Sequence, residues 1–300
     1  MAPKLETIPV DCVLDAQAML GESPLWSAEE QKLYWVDIYR HSIHCFDPAS
    51  GKDDSRQCPE PVGSIGFRKK GGLISAMRSG FFEVDFAQGI RTQICNPEAD
   101  KPGNRMNDGR CDPWGAFWAG SMMDPSDRKT RAGTIWRLGP DRTASAKVTE
   151  LGVSNGIAFD GARRRFYCAD TFADVQTIWC FDIEPESGAI SNRKVFATTH
   201  DLPGRPDGAV LDSEGCYWSA LAGGWSVARF TPEGKVDRLI KVPVEKPTMC
   251  AFGGRQFDIL FITSIGPRPD SPLAPGQPQA GGIFACRPGA QGIPEPKYLG

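Results

Sequence analysis

Short apolar runs separated by polar turns fill the chain, and they predict strands and not helices. The runs are rich in aromatic and β-branched residues, as in Leu33–Val36 and Arg165–Cys168. Clusters of Gly, Pro, Asp and Ser bound them, as at Asp47–Gly51 and Pro185–Gly188. Such runs between such clusters are typical of β-strands. No segment sustains an apolar stripe at the 3.6-residue spacing of a helix, so we expect an all-β protein with little helix.

One strand-opening phrase recurs along the chain and divides it into similar units. It is clearest at Arg205–Asp212 and returns at Ser154–Asp160 and Met106–Asp112, with weaker copies elsewhere. Registering the copies on their last apolar residue aligns six positions, here called the ring positions: Glu22, Gly63, Asn107, Asn155, Asp207 and Thr248. The aligned residues lie 41, 44, 48, 52 and 41 residues apart. Six units of roughly 40–50 residues, each with a few short strands, predict a six-bladed β-propeller.

A propeller has to close its ring, because otherwise its first and last sheets keep exposed edges. The segment Thr7–Leu14 precedes the first phrase and belongs to no complete unit. The last unit offers Asp258–Thr263 and Gly282–Cys286 and then continues into Gly and Pro. We therefore expect the N-terminal strand to pair with the last blade, which makes residues 1–300 a single domain. Between those two runs, Gly266–Gly282 is rich in Pro and Gly and is predicted to be an irregular loop.

Composition and charge exclude several classes of protein. The formal net charge is −3 and no basic run stands out, so neither nucleic acid nor a membrane surface is an expected partner. The N-terminus lacks a charged start followed by an apolar run, and no apolar stretch reaches the roughly 18 residues of a spanning helix. The ten cysteines are scattered singly, which indicates neither a zinc ribbon nor a redox motif. We expect reduced thiols in a cytoplasmic protein, and the oligomeric state is left open.

The polar ring positions carry the candidate chemistry. The first strand of each propeller blade lines the central axis, so equivalent residues of those strands meet at one end of the channel. Glu22 and Asp207 would then be two carboxylates in a confined space, where each raises the pKa of the other. Asn107 and Asn155 add amide oxygens to the same ring. Oxygen donors suit a hard divalent cation, and no histidine falls on the ring, which argues against a histidine-built zinc site.

Three further residues have an open assignment. Asp37 and Asp170 each lie 15 residues after a ring position, where the second strand of a blade should return to the same end. They either support the ring from behind or cap the turn at the strand end, which is ordinary chemistry for Asp. Trp114 has two possible roles, stacking on a sugar ring and packing in the core.

Four phrases, in this order, resemble the senescence-marker-protein/gluconolactonase family, which includes regucalcin and bacterial sugar lactonases. They are Gly21–Trp26, Arg105–Gly109, Ser154–Ala158 and Arg205–Gly208, and the resemblance spans nearly the whole chain. Gly282–Cys286 and the Gly-Pro ending resemble the bacterial lactonase branch. The resemblance implies a six-bladed propeller that binds one divalent metal ion and a small sugar lactone.

The resemblance also implies roles for individual residues. Glu22, Asn155 and Asp207 would bind the metal, while Arg105 and Asn107 would hold the substrate. Because oxygen donors discriminate weakly among divalent ions, Ca²⁺, Zn²⁺, Mn²⁺, Mg²⁺ and Fe²⁺ all stay open.

The chain departs from the animal members of the family within Gly120–Pro125. Those members carry consecutive acidic residues there, which help to hold sugar hydroxyls. In this chain Asp124 alone is acidic in that stretch, and it follows Met122 and Met123. Asp124 is therefore the third expected substrate-binding residue, and the identity of the sugar is left open.

Together with these residues, the resemblance implies hydrolysis of a sugar lactone to its aldonic acid. A divalent ion can polarise the lactone carbonyl and lower the pKa of a bound water, and Asp207 is the expected general base. The guanidinium of Arg105 suits the lactone or its product carboxylate. The chain has no Gly-x-Ser-x-Gly elbow and no phosphate-binding glycine loop.

Other functions fit the same pattern. The substrate could be another ester or lactone, such as an organophosphate or an acyl-homoserine lactone, and Met122 and Met123 leave room for a more apolar pocket. The propeller could also bind calcium without catalysis or serve as an interaction platform, because a fold alone does not decide function. Assays on a panel of sugar lactones separate these possibilities.

Overall fold

Strands and turns make up the described backbone. The structure, a computed structural model, describes residues 4–6, 8–125, 130–268 and 272–300, with side chains from residue 8 onward. The strands are β1 (Lys4–Glu6), β2 (Asp11–Leu14), β3 (Gly21–Ser27), β4 (Lys32–Asp37), β5 (Ser42–Asp47), β6 (Lys52–Gln57), β7 (Val62–Arg68), β8 (Leu73–Met77), β9 (Gly80–Asp85), β10 (Ile90–Cys95), β11 (Asn104–Cys111), β12 (Phe117–Met123), β13 (Gly133–Leu138), β14 (Ala144–Leu151), β15 (Ser154–Asp160), β16 (Arg165–Asp170), β17 (Thr177–Ile183), β18 (Ile190–Thr198), β19 (Arg205–Leu211), β20 (Tyr217–Ala222), β21 (Ser226–Phe230), β22 (Val236–Lys241), β23 (Pro247–Gly253), β24 (Ile259–Ser264), β25 (Ile283–Cys286) and β26 (Lys297–Tyr298). Within these residues there is no helix long and apolar enough to cross a membrane.

The strands assemble into six sheets that are the blades of a propeller. Blades 1 to 5 each contain four successive strands side by side, beginning with β3, β7, β11, β15 and β19, and blade 6 contains β23, β24, β25 and β2. The six inner strands pack against one another around a closed ring. The aromatic runs lie where the pattern placed them, with Leu33–Val36 in β4 and Arg165–Cys168 in β16. The predicted all-β, six-bladed propeller is confirmed.

The ring closes as the sequence predicts. β2 pairs antiparallel with β25 at the outer edge of blade 6, with Asp11 opposite Ala285. Two further pairings were not expected from the sequence: β1 runs parallel to β22, and β26 runs parallel to β7. The described part of Gly266–Gly282 contains no strand, in agreement with the predicted loop.

The C-terminal residues 291–300, here called the strap, cover the end of the channel that lies away from the ring positions. Gly292 forms a bridge with Asp212, beyond the end of β19. Glu295 forms a buried ion pair with Arg110, near the end of β11. β26 then joins blade 2. The strap therefore links blades that are not neighbours.

Every blade has a β-bulge where its inner strand passes the ring position. The register between the first and second strands shifts just after Glu22, Val62, Met106, Asn155, Pro206 and Pro247. An extra residue bends a strand and re-aims the side chains beside it. The phrase that recurs in the sequence is therefore the signature of a recurring bulge.

The blades are anchored by buried tryptophans. Trp118 and Trp218 are fully buried at equivalent places in blades 3 and 5, and their indole N–H groups donate to Asp112 and Asp212 at 2.8 and 2.9 Å. These bonds satisfy the one polar atom of each ring, which a buried tryptophan requires. Trp114 packs partly buried against the core beside Trp118, so it has the core role.

Candidate active site

Four of the six ring positions hold carboxylate or carboxamide side chains that are buried together. They are Glu22, Asn107, Asn155 and Asp207, all between 3% and 7% exposed. The amides of Asn107 and Asn155 are joined by a hydrogen bond of 2.9 Å. The charge of Asp207 contributes to raising the pKa of Glu22, so the two carboxylates are close enough to interact. The structure thus brings together the side chains that the sequence aligned.

The other two ring positions are structural. A Cβ at Gly63 would lie closer than 3 Å to the carbonyl oxygens of Met106 and Asn107, so no side chain fits there. The hydroxyl of Thr248 donates to the carbonyl oxygen of Gly21 at 2.5 Å and so ties blade 6 to blade 1. The candidate site is therefore built by blades 1, 3, 4 and 5.

A chain of hydrogen bonds fixes which way the two ring amides face. Arg105 donates to Oδ1 of Asn107 at 2.7 Å, and Nδ2 of Asn107 donates to Oδ1 of Asn155 at 2.9 Å. Nδ2 of Asn155 donates to the hydroxyl of Thr171 at 2.7 Å, and that hydroxyl donates to the Pro206 carbonyl oxygen at 2.6 Å. Because arginine only donates and a carbonyl oxygen only accepts, each group between them has one consistent orientation. The Asn155 oxygen therefore faces the ring and keeps a second lone pair.

The two ring carboxylates have little compensation for their charge. Glu22 accepts from the N–H of Ser23 at 3.3 Å, and Asp207 accepts from the N–H of Gly208 at 3.0 Å. Burial, followed by the charges of Asp207 and Asp108, raises the pKa of Glu22 well above 4.5. Burial and then the charge of Asp108 raise the pKa of Asp207 to about 8. Buried carboxylates in this situation take up either protons or a cation.

A third buried carboxylate, Asp108, lies beside the ring and was missed by sequence reasoning. It is 3% exposed, and its Oδ2 accepts from the N–H of Ile157 at 2.8 Å, which links blades 3 and 4. Its Oδ1 is buried without a hydrogen bond among the described residues. Burial raises the pKa of Asp108 to about 6. An Asp-Gly pair is an ordinary turn signal, so the sequence did not distinguish this carboxylate from a turn residue.

Beyond the ring, Asp124 is the centre of an arginine-rich wall. Its Oδ2 forms an ion pair with Arg78 and lies 3.6 Å from Nε of Arg105, and its Oδ1 accepts from the hydroxyl of Tyr39 at 3.1 Å. Arg268 lies over the Tyr39 ring, 4.3 Å from its centroid. The expected substrate residues Arg105, Asn107 and Asp124 are thus contiguous. Arg78, Tyr39 and Arg268 were missed, because they come from segments outside the repeated phrase.

Asp37 and Asp170 are turn caps. Asp37 accepts from the N–H of Leu20 at 3.1 Å, and Asp170 accepts from the N–H of Val153 at 2.8 Å. The residue that supports the ring is Thr171, the neighbour of Asp170, through its bond to Asn155. Of the two alternatives for Asp37 and Asp170, the turn cap is therefore the one that the structure confirms.

One histidine forms a relay like that of a serine hydrolase, on the outer part of blade 1. Nε2 of His44 lies 2.8 Å from the hydroxyl of Ser42, and Nδ1 lies 2.7 Å from Oδ2 of Asp53. Ser42 is only 6% exposed, and β5 is paired on both sides with β4 and β6. The backbone N–H groups of β5 are therefore hydrogen-bonded within the sheet and do not form an oxyanion hole. Trp35 stacks on His44 at 3.9 Å, and we assign the relay a packing role.

A second acidic group is occupied by an arginine. Ligand atoms of Asp212, Glu214 and Cys216 lie within 4.8 Å of one another. The guanidinium of Arg229 donates to Asp212 at 2.9 Å and also to Glu214. This cation already compensates the carboxylates, so the group is an ion-pair network of the sheet.

The fold and the site define a class of protein, a six-bladed β-propeller with buried carboxylates and carboxamides at one end of its axis. The family model for the SMP-30/Gluconolactonase/LRE-like region matches residues 20–266. The chain therefore belongs to the SMP-30/gluconolactonase family, as its four phrases indicated.

Similar proteins cover almost the full length of the chain. A 6-deoxy-6-sulfogluconolactonase of Pseudomonas putida is 38% identical over 96% of this chain and 98% of its own. A pentonolactonase of Haloferax volcanii is 34% identical over 94% and 96%, and the regucalcin of Gallus gallus is 32% identical over 99% and 100%. The crystal structure of a calcium-binding protein, regucalcin, from Agrobacterium tumefaciens superimposes with a TM-score of 0.91 at 27% identity, covering 99% of both chains.

Proposed function

We propose that the protein hydrolyses a sugar lactone to its aldonic acid and that Glu22, Asn155 and Asp207 hold one divalent metal ion. The observation that carries the proposal is the pair of buried carboxylates, each with a single described hydrogen bond to its neighbour's N–H. Two similar proteins support the reaction by their names, a sulfogluconolactonase and a pentonolactonase. The Agrobacterium protein, described as calcium-binding, supports a divalent ion.

The donor set fits a hard divalent ion. Two carboxylates and the oriented amide oxygen of Asn155 are oxygen ligands, which such ions prefer. A cation among them would offset the charges that raise the pKa values of Glu22 and Asp207. When bound, the ion would supply Lewis acidity to the lactone carbonyl and to the attacking water.

The protein's own residues bind the lactone and move the proton. Arg105 is 3% exposed and forms an ion pair with Asp124, with 3.6 Å between Nε and Oδ2. Its guanidinium is thereby held beside the ring, where it binds an oxygen of the substrate. Asn107 holds Asn155 in position. Asp207, as a carboxylate, accepts a proton from water while the water oxygen adds to the carbonyl carbon. The ester C–O bond then breaks, and the ring oxygen takes the proton from Asp207 and leaves as a hydroxyl group.

The test is an assay of hydrolysis over a panel of lactones and one other ester, in which pH-stat titration measures the acid released. The panel contains gluconolactone, a pentonolactone, 6-sulfogluconolactone, an acyl-homoserine lactone and an organophosphate triester. We expect sugar lactones to be hydrolysed, activity to be lost on exhaustive chelation, and activity to return with one equivalent of Ca²⁺, Mg²⁺, Mn²⁺, Fe²⁺ or Zn²⁺. Glu22→Gln and Asp207→Asn should abolish activity, whereas Asp170→Asn, a change at a turn cap, should retain it. Full activity in protein shown to be metal-free would contradict the proposal, as would calcium binding without hydrolysis of any lactone.

We also propose that residues 1–300 act as one domain in a reducing compartment such as the cytoplasm. Both terminal segments pair within the propeller, through β2 with β25 and β26 with β7. All ten cysteines are unpaired, which suits a compartment that keeps thiols reduced. A single cooperative unfolding transition and ten titratable thiols in denaturant are the expected results.

A further inference from the structure

The site has a direction, from a deep acidic end to a shallow basic end. Asn107 and Arg105 are 5% and 3% exposed beside the ring carboxylates. The next residue outward is Asp124, with a side chain 9% exposed, followed by Arg78, with a side chain 32% exposed. Each step is a direct contact, since Arg105 bonds to Asn107, and Asp124 lies against both arginines. A lactone whose carbonyl meets the ring therefore extends its other end along this wall.

The basic end carries more positive charge than its described carboxylate can neutralise. Arg78 and Arg105 both contact the same oxygen of Asp124, so two guanidinium groups share one carboxylate. The other oxygen of Asp124 is taken by the hydroxyl of Tyr39. Among the described contacts, Arg78 otherwise donates to the carbonyl oxygen of Asn104 at 3.4 Å. Since a guanidinium has five N–H donors, Arg78 retains donors for a ligand.

This wall suits an anion better than a row of hydroxyl groups. A sugar hydroxyl can accept a hydrogen bond from a guanidinium, but an anionic oxygen accepts the same bond with the added attraction of its charge. Arginine forms its strongest contacts with carboxylate, sulfonate-like or phosphate oxygens in a bidentate geometry. Met122, buried in β12 two residues before Asp124 and opposite Arg105 in β11, adds no oxygen acceptor to this wall.

We propose that the preferred substrate is a sugar lactone that carries an anionic group at the end remote from its carbonyl, and that Arg78 determines this preference. The group is a carboxylate, a sulfonate or a phosphate, as these share the negative oxygens that a guanidinium binds. The proposal rests on the lactone hydrolysis proposed above, and it adds the substrate class. Arg78 has a binding role here, separate from the bond-breaking end of the site.

The test compares kcat/KM for glucono-δ-lactone with that for three anionic lactones: the 6-phospho and 6-sulfo derivatives and glucaro-1,4-lactone. In the wild type we expect at least one anionic lactone to exceed the neutral one by about tenfold or more, the size of one charge-assisted contact. Arg78→Gln should lower the anionic-to-neutral ratio by about tenfold, mainly through KM, and Arg78→Lys should restore part of it. Asp124→Asn should raise the ratio, because it removes the carboxylate that competes for the same guanidinium groups.

Arg163→Gln is the matched control. Arg163 is paired with Asp160 at 2.7 Å, at the end of β15 away from the ring, and its side chain is 43% exposed. Its loss should leave both rates and their ratio unchanged. If the wild type prefers the neutral lactone, or if the ratio does not respond to Arg78→Gln, the inference is wrong while lactone hydrolysis stands. If no lactone is hydrolysed with any divalent metal, both proposals fail together.

Discussion

Replacing Asp207 by asparagine removes one ring carboxylate and keeps its shape. Asp207 is 7% exposed, and burial together with Asp108 raises its pKa from 3.8 to about 8. The pKa of Asp207 in the folded protein lies above its pKa in the unfolded chain, so folding favours the protonated carboxyl group. The fold is therefore not weakened by this group below about pH 4, and it loses stability as the pH rises toward 8. At 1.36 kcal/mol per pKa unit, the ionised carboxylate destabilises the metal-free fold by on the order of 5 kcal/mol at pH 8.

The asparagine variant should therefore be the more stable protein when metal is absent and the pH is high. We expect chelated Asp207→Asn to exceed chelated wild type by a few kcal/mol at pH 8, with a difference that shrinks toward zero near pH 4. A divalent ion at a hundred times its Kd should add about 2.7 kcal/mol to the wild type and much less to the variant. Adding metal should therefore reduce the difference in unfolding free energy between the variant and the wild type, or reverse its sign.

Urea unfolding followed by tryptophan fluorescence, between pH 4 and pH 8.5 with chelator or metal, measures these differences. Asp170→Asn is the matched control, because Asp170 is also a buried carboxylate but caps backbone N–H groups. This control should be less stable than wild type at neutral pH and should keep the full response to metal. Identical pH dependence in wild type and Asp207→Asn, with an equal gain on adding metal, would refute the reasoning.

Three further changes test other parts of the structure. Thr171→Val removes the hydroxyl that orients Asn155, so metal affinity measured by calorimetry should fall by about 10–100-fold with the fold retained, and unchanged affinity would contradict this role. Gly63→Ala places a Cβ against the carbonyl of Met106, so both the unfolding midpoint and lactonase activity should drop; normal values would mean that the ring tolerates displacement. Ser42→Ala should leave lactonase activity within about twofold of wild type, as expected for a buried packing residue. An inactive Ser42→Ala variant would instead indicate a serine mechanism.

The ring could be predicted from the sequence because a propeller repeats one backbone device around an axis. Each bulge gives its blade one re-aimed position, so aligning the phrases was sufficient to align Glu22, Asn107, Asn155 and Asp207. The closure of the ring could also be predicted. The N-terminal strand had no partner and the last sheet lacked its outer strand, so pairing the two removes both exposed edges.

The supporting residues could not be predicted, because they lie outside the repeated phrase. Thr171 follows the end of β16, Arg78 follows the end of β8, and Tyr39 follows the end of β4. Arg78 and Tyr39 contact Asp124 of another blade. Thr171 joins Asn155 of its own blade to the Pro206 carbonyl oxygen of the next blade. No local sequence pattern encodes these contacts. The strap was missed for a similar reason, since Lys297–Tyr298 is too short to give a strand signal and pairs in parallel with a distant strand.

The most direct measurement is the anomalous diffraction of crystals grown with Mn²⁺. The account predicts one strong peak at the axial end of the propeller, within coordination distance of oxygens of Glu22, Asn155 and Asp207, and no such peak in Asp207→Asn crystals. A peak elsewhere alone, or those three side chains facing an ion-free channel in active wild-type protein, would contradict it.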